Sequence, residues 1–83
     1  MNITQTRTFE QQMKKLSMTQ QDHLEDIIWQ LQIDPTSGKQ WKGTLNGYWY
    51  VDYEDSQGKK YLFYQFTENQ LCLVAVFQIS QRI

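Results

Sequence analysis

Residues 47–79 decide the fold of this chain: GYWYVDYEDSQGKKYLFYQFTENQLCLVAVFQI. Runs of aromatic and β-branched side chains, which favour strands, are separated by two segments of turn residues, DSQG at 55–58 and ENQ at 68–70. The pattern predicts three strands joined by two tight turns. The base of the fold is therefore expected to be an antiparallel meander.

Alternation along these strands assigns their residues to two faces. Because burying an unpaired carboxylate is costly, the face of the first strand that lacks Asp52 is expected to point at a helical layer. That face carries Trp49 and Val51, opposite Tyr50 and Asp52. In the next strands the alternating sets are Leu62, Tyr64 and Phe66 against Tyr61, Phe63 and Gln65, then Leu71, Leu73, Ala75 and Phe77 against Cys72, Val74 and Val76. A last strand that is apolar on both sides indicates a central position, or an outer face that something else covers.

The first 35 residues supply the layer that covers the sheet. Residues 2–7 are weakly strand-like, and two capping patterns, Thr8 with Gln11 and Thr19 with Asp22, predict the starts of two helices. The residue before a proline avoids helical dihedrals, so the second helix is expected to end at Pro35. Apolar residues follow at helical spacing in both segments: Phe9, Met13 and Leu16, then Leu24, Ile27, Ile28 and Leu31.

These elements predict one α+β domain over residues 1–83. An N-terminal strand and two helices are expected, with the helices packed on one face of a three- to four-stranded, mainly antiparallel sheet. Residues 34–46 are interpreted as a turn-rich connector held by Trp41.

Composition restricts the classes of function. With 83 residues, 40% of them hydrophobic, the chain is long enough for one core, and a net charge of −1 provides no general attraction to nucleic acid. A single cysteine, Cys72, excludes an intrachain disulfide and is typical of a reducing compartment. The chain has neither a leader pattern nor an apolar run long enough to cross a bilayer, so a cytoplasmic location without membrane contact is expected.

The residue types of common metal and nucleophile sites are mostly missing. His23 lies in a polar run on the second helix, and with Cys72 it cannot complete a zinc site of four ligands. Since His23 is the one histidine that a serine could use, a nucleophile triad is not expected. The acidic residues Asp52, Glu54 and Asp55 flank a turn and are interpreted as solvated. No metal and no cofactor are expected.

Three segments and the order of elements resemble the RelE/ParE superfamily of small bacterial toxins. They are TFEQQMKKL at 8–16, IDPTSGKQWKGTLNGYW at 33–49 and KKYLFYQFTENQLCLVAVFQI at 59–79. The resemblance implies a RelE-like fold and a cognate antitoxin encoded beside the toxin. For the ribosome-dependent branch it also implies cleavage of messenger RNA in the ribosomal A site, by attack of a ribose 2′-hydroxyl on the neighbouring phosphate.

The resemblance also implies where such a site would lie. The chemistry needs a base, an acid and cations, and the family places basic residues on the concave face of the meander. Here the position of the family's arginine falls on Tyr61, and the other basic positions fall on Tyr50, Asp52 and Gln81. A shift of one position would bring in Lys60 or Arg82, although on a strand such a shift reverses the face. The catalytic candidates are therefore Tyr50, Asp52, Lys60, Tyr61, Gln81 and Arg82, and the RNA-binding candidates are Lys42, Lys59 and Tyr64.

Two hypotheses for function remain open at this point. The first is a RelE-like mRNA interferase, acting at the ribosome with a site depleted in basic residues. The second is a non-catalytic, toxin-like protein that acts on a protein target, as the ParE branch does, or that binds only its antitoxin. The apolar strand at 71–79 is also expected to contact a partner segment or a second copy of the chain.

Overall fold

Two helices cover one face of a five-stranded sheet in the computed structural model of the chain, which describes residues 1–42 and 47–79. In chain order the elements are β1 (Asn2–Gln5), α1 (Arg7–Lys14), α2 (Met18–Ile33), a 3-10 turn (Pro35–Ser37), β2 (Lys39–Gln40), β3 (Trp49–Asp55), β4 (Gly58–Phe66) and β5 (Gln70–Gln78). The strand order is β1-β5-β4-β3-β2, with β1 parallel to β5 and the other pairs antiparallel. The predicted α+β architecture is confirmed, and the connector adds one more strand, β2.

Both helices begin two residues earlier than the capping patterns predicted. The hydroxyl of Thr6, instead of that of Thr8, accepts a hydrogen bond from the backbone N–H of Phe9, the third residue of α1, at 3.1 Å. Ser17 and Gln20 form a reciprocal capping box on α2, with distances of 3.2 and 2.9 Å between side chain and backbone. Asp22 is shorter than the glutamate or glutamine that this motif uses, so the predicted pattern at Thr19 does not compete with it.

The core lies between the helices and the covered face of the sheet, and it contains the apolar stripes that helical spacing predicted. Phe9, Leu24 and Leu31 from the helices meet Leu62, Leu71 and Leu73 from the strands, and each is at most 3% exposed. Trp49 and Val51 pack against this cluster, as alternation predicted. Each fully buried leucine or phenylalanine of this kind contributes roughly 1.5–3 kcal/mol to folding.

A β-bulge at Val74 reverses the order in which the residues of β5 alternate between the two faces of the sheet. Phe63 pairs with Ala75 whereas Tyr64 pairs with Leu73, so Val74 is an extra residue without a partner on β4. Since the extra residue reverses the alternation, Leu73 faces the helices and Ala75 faces away from them. The prediction that Leu71, Leu73, Ala75 and Phe77 share one face is therefore wrong beyond Val74.

Helix α1 holds the bulged half of β5 in place. The hydroxyl of Thr6 donates to the carbonyl oxygen of Val74, and the side-chain amide of Gln12 bonds both the N–H and the C=O of Val76, at 2.8 and 2.9 Å. Gln12 thus takes the place of a neighbouring strand beyond the end of β1.

No helix in the described ranges combines the length and apolarity needed to cross a membrane.

Candidate functional site

The face of the sheet opposite the helices carries the residues that the sequence singled out on β3 and β4; we call it the open face. Asp52 pairs across the ladder with Tyr61, and Tyr50 pairs with Phe63, so all four share this face. The Tyr50 and Tyr61 ring centroids are 5.1 Å apart. The structure thus brings Tyr50, Asp52 and Tyr61 together on one surface, as alternation predicted.

Aromatic rings occupy the centre of the open face. We call this group the aromatic patch: Trp41, Tyr50, Tyr61, Phe63 and Phe77. Successive rings pack edge to face, with centroids 5.4 Å apart for Trp41 with Phe63 and 5.4 Å for Phe63 with Phe77. The bulge in β5 is what directs Phe77 here, where it is 55% exposed.

A shallow apolar groove of about 230 Å³ runs beside the patch, between β5 and the segment that follows β2. Trp41 lines it and is held by a 2.8 Å hydrogen bond from its backbone N–H to the carbonyl oxygen of Tyr48. The other lining residues are Tyr48, Phe63, Val74, Ala75 and Phe77. The groove depends on the bulge and on the position of Trp41, so no pattern in the sequence predicts it.

Among the described residues, the cations of the open face lie at its rim and not at its centre. Lys39 on β2 lies 3.8 Å from the Asp52 carboxylate, with both side chains more than half exposed. Lys59 is opposite Glu54 across the β3–β4 ladder, and Lys42 lines a wide groove next to Trp41. Lys39 was not predicted as a site residue, because a two-residue strand inside a connector leaves no alternation to detect. The candidates Gln81 and Arg82 lie outside the described residues.

Lys60 lies on the covered side of the sheet, which contradicts its selection as a catalytic candidate. Its ammonium nitrogen is 2.8 Å from the Asp55 carboxylate and 2.9 Å from the side-chain oxygen of Gln57. The Lys60 and Asp55 side chains are 4% and 5% exposed. Gln20, from the capping box of α2, donates to the same carboxylate at 3.4 Å. Asp55 was expected to be solvated, and that expectation is wrong as well.

Tyr64 is a core residue and cannot stack on RNA bases, as its selection as an RNA-binding candidate required. It is fully buried, and its hydroxyl donates to the carbonyl oxygen of Pro35 at 2.6 Å. Burial raises the pKa of the phenol, and the nearby Asp34 carboxylate raises it further. Two of the nine candidates therefore stabilise the fold on the covered side.

Comparison with known proteins decides the family. The family model for the ParE-like toxin of type II bacterial toxin-antitoxin systems matches residues 3–82. The chain belongs to this family. The predicted membership of the RelE/ParE superfamily is thereby confirmed, and the chain is a toxin of a type II toxin–antitoxin system.

The fold of this ParE-like toxin also occurs in a solved structure. A chain in the crystal structure of the intact E. coli RelBE toxin–antitoxin complex matches with a TM-score of 0.77, over 96% of this chain and 98% of that chain. The two sequences are 13% identical, so the likeness concerns the fold alone. No curated protein sequence matches the toxin.

The described residues of the toxin contain no group of three or more histidine, cysteine or acidic side chains that could hold a metal ion.

Tyr53 is close to the buried ion pair, and its hydroxyl has no hydrogen-bond partner among the described residues. Burial, followed by the charge of Asp55, raises the pKa of Tyr53 to about 12. This phenol is therefore protonated at neutral pH and is not a candidate base.

The buried ion pair makes the stability of the toxin depend on pH in acid. Burial alone would raise the pKa of Asp55, but hydrogen bonds from Lys60 and from the Gln57 backbone outweigh it, so the pKa lies below its ordinary value. The stabilisation is therefore complete above the unfolded-state pKa of about 3.9 and is lost as the pH falls through the lower, folded-state pKa.

We expect the melting temperature of the wild-type toxin to fall more steeply below about pH 4 than that of the Asp55→Asn variant, which lacks this titrating group. Thermal unfolding followed by circular dichroism from pH 7 into acid measures the difference. If the melting temperatures of the two proteins fall equally with pH below about pH 4, Asp55 is not the group that causes the acid dependence.

Proposed function

We propose that this toxin acts by binding a protein target through its open face, and that it does not cleave RNA. The observation that carries the proposal is the aromatic patch, a continuous apolar surface at the place where a ribonuclease of this fold would require cations. Exposed aromatic residues around a groove are the usual anchors of protein interfaces, where a few of them supply most of the binding energy.

The charge distribution argues against RNA cleavage. Removing one preorganised donor to the developing charge typically costs about a hundred- to a thousandfold in rate, and phosphoryl chemistry uses several. If the ribonuclease branch is taken as the guide, Tyr61 stands where that branch has its arginine, and the neighbouring Lys60 is bound to Asp55 on the covered side of the sheet. Among the described ion pairs, Lys39 is the basic partner of Asp52, and the Asp52 carboxylate offsets the positive charge of Lys39.

The proposed partners follow from the family and from the same surface. A toxin of a type II system is neutralised by its antitoxin, and the chain in the RelBE crystal structure has the same fold as this toxin. We propose that a cognate antitoxin covers the aromatic patch and excludes the target from it. A shared apolar surface explains both toxicity and neutralisation, because one site cannot hold both proteins. The cytoplasm is the proposed site of action.

RNA cleavage at the ribosome is the second candidate, and one observation favours it. Asp52 lies opposite Tyr61 with Lys39 3.8 Å from its carboxylate, so a base, a phenol and a cation share one corner of the open face. In that reading Asp52 accepts the proton of the 2′-hydroxyl, while Lys39, Lys42 and Lys59 hold phosphates.

Induced expression of the toxin in bacterial cells, with transcript ends mapped by sequencing, separates the two candidates. We expect growth arrest with transcript ends unchanged. The Phe77→Ser variant is expected to relieve the arrest, because loss of an aromatic anchor weakens target binding by roughly thirtyfold. Ile3→Ser is the matched control: Ile3 is an apolar residue of β1, 42% exposed, that lies outside the patch, and its variant should retain the arrest.

New transcript ends within translated messages would overturn the proposal, provided that they disappear in the Asp52→Asn and Lys39→Ala variants. Growth that continues at full rate while soluble toxin accumulates would contradict both candidates and leave antitoxin binding as the only role. Because Asp52 and Lys39 are both exposed, their variants are expected to fold normally.

A further inference from the structure

The outer side of α2 carries a second apolar surface that packs against nothing in the described structure. Met18, Trp29 and Ile33 are 78%, 63% and 71% exposed. Trp29 and Ile33 are four residues apart and are therefore neighbours on the helix surface. Single exposed apolar residues are normal, but the neighbouring pair Trp29 and Ile33 forms a surface suited to binding, with Met18 eleven residues away, about 16 Å along the same side of the helix. The core-facing stripe of α2 lies on the other side and is already buried.

Three carboxylates lie on the same side of α2. With the three apolar residues they form what we call the outer ridge: Met18, Asp22, Glu25, Asp26, Trp29 and Ile33. At 100° per residue all six lie within an arc of about 100°. All three acids are exposed, and none forms an ion pair with another described residue.

The position of the acids does not follow from helix stability. The helix dipole favours carboxylates only in the first turn, and the first turn of α2 contains none. The 16 residues of α2 also contain no lysine or arginine that could pair with Asp22, Glu25 or Asp26 along the helix. Between Met18 at its start and the apolar pair Trp29 and Ile33 at its end, the ridge is therefore acidic, and α2 contains no lysine or arginine that compensates these charges.

We propose that the outer ridge docks a basic amphipathic helix of a partner protein. Apolar side chains of the partner would pack over Trp29 and Ile33, while its lysines or arginines reach the carboxylates. The three carboxylates precede Trp29 by three to seven residues, so the basic part of the partner helix lies about 5–10 Å along its axis from the residue that packs on Trp29. An anionic membrane or a nucleic acid does not fit, because the three carboxylates repel both.

The ridge and the open face lie on opposite sides of the sheet. A protein bound at the ridge therefore leaves the aromatic patch accessible, and the two surfaces can be occupied at once. Binding at the ridge does not require the open face, and variants on the two sides of the sheet separate the two surfaces.

The test is a titration of the full-length, isotope-labelled toxin with two synthetic helical peptides, followed by NMR. One peptide carries two leucines four residues apart and a lysine cluster about two turns away along the helix. The control peptide has glutamates in place of the lysines. The indole N–H signal of Trp29, assigned with the Trp29→Phe variant, reports on the ridge.

We expect the lysine peptide to shift the Trp29 signal and the glutamate peptide to leave it unchanged. The Trp29→Ser variant should bind the lysine peptide roughly thirtyfold more weakly, and the double variant Glu25→Lys with Asp26→Lys at least about tenfold more weakly. Binding should weaken as salt is added, whereas Phe77→Ser should leave it unchanged.

Equal binding of both peptides would overturn the proposal, because it would indicate apolar adhesion without charge recognition. Failure of the lysine peptide to bind at millimolar concentration would also overturn it, as would binding lost in Phe77→Ser but kept in Trp29→Ser. A toxin that dimerises in sedimentation, with the dimer abolished by Trp29→Ser, would assign the ridge to a second copy of this chain and so contradict a foreign partner.

Discussion

Replacing Lys60 with alanine is expected to lower the free energy of unfolding by about 3–5 kcal/mol, because the change leaves the Asp55 carboxylate buried without its ion-pair partner. The pair is 2.8 Å apart and at most 5% exposed. Domains of this size are stable by only about 0.05–0.15 kcal/mol per residue, so the variant would lose a large part of its total stability. Urea denaturation followed by circular dichroism measures the loss.

Two further variants separate this effect from others. Lys59→Ala removes the same charge from the exposed neighbour and should change stability by less than about 0.5 kcal/mol. Replacing both partners, Lys60→Met with Asp55→Leu, should restore most of the stability, since well-packed apolar residues often substitute for a buried ion pair without loss. If Lys60→Ala unfolds at the wild-type urea concentration and yet abolishes toxicity, the structural assignment is wrong and Lys60 acts on the target.

The result affects how functional experiments on this toxin are interpreted. Lys60 is a natural choice for a catalytic test, because it is basic and lies next to the position of the family's arginine. A loss of toxicity in Lys60→Ala would, however, follow from unfolding alone. Lys39 and Lys59 are better probes of charge on the open face, since both are exposed and neither supports the core.

The sequence predicted the elements of the fold well where a periodic pattern extended over several turns or residues. In α2 the apolar residues recur at helical spacing among polar ones, and in β3 they alternate with polar ones. Both sets of apolar residues were therefore placed on the correct face. Alternation in β5 failed, because a strand that is apolar on both sides looks the same whether or not a bulge reverses it. The bulge depends on hydrogen bonds from Thr6 and Gln12, which are more than 60 residues away in the chain.

The candidate site was predicted only in part for a related reason. Tyr50, Asp52 and Tyr61 were placed together because strand pairing across a short turn fixes their register. Lys39 and Trp41 were not placed, since their positions depend on β2, whose two residues have no pattern of their own. Lys60 was selected through its position beside the family's arginine, although strand alternation by itself places it on the covered side.

Tyr64 provides the second large effect: Tyr64→Ala is expected to cost about 3–5 kcal/mol of unfolding free energy, as truncation of a fully buried aromatic residue usually does. Tyr64→Phe should cost about 1–3 kcal/mol, because the carbonyl oxygen of Pro35 loses its 2.6 Å hydrogen bond. Chemical denaturation measures both values.

The backbone around Tyr64 leaves no free space beside its hydroxyl. Gly38 approaches so closely that an added Cβ would overlap the Tyr64 hydroxyl and lie 2.7 Å from the carbonyl oxygen of Tyr50. The tyrosine thus joins the segment that leads into β2 to the core, and β2 in turn leads to Trp41 on the open face.

An RNA-stacking role predicts the opposite pattern: Tyr64→Ala would weaken RNA binding at wild-type stability, and Tyr64→Phe would be neutral, because phenylalanine stacks as well as tyrosine. Because the Tyr64 hydroxyl is buried against Pro35, we expect both Tyr64→Ala and Tyr64→Phe to lower the free energy of unfolding. Toxicity should change only to the extent that β2 and Trp41 are displaced by the loss of their contact with Tyr64.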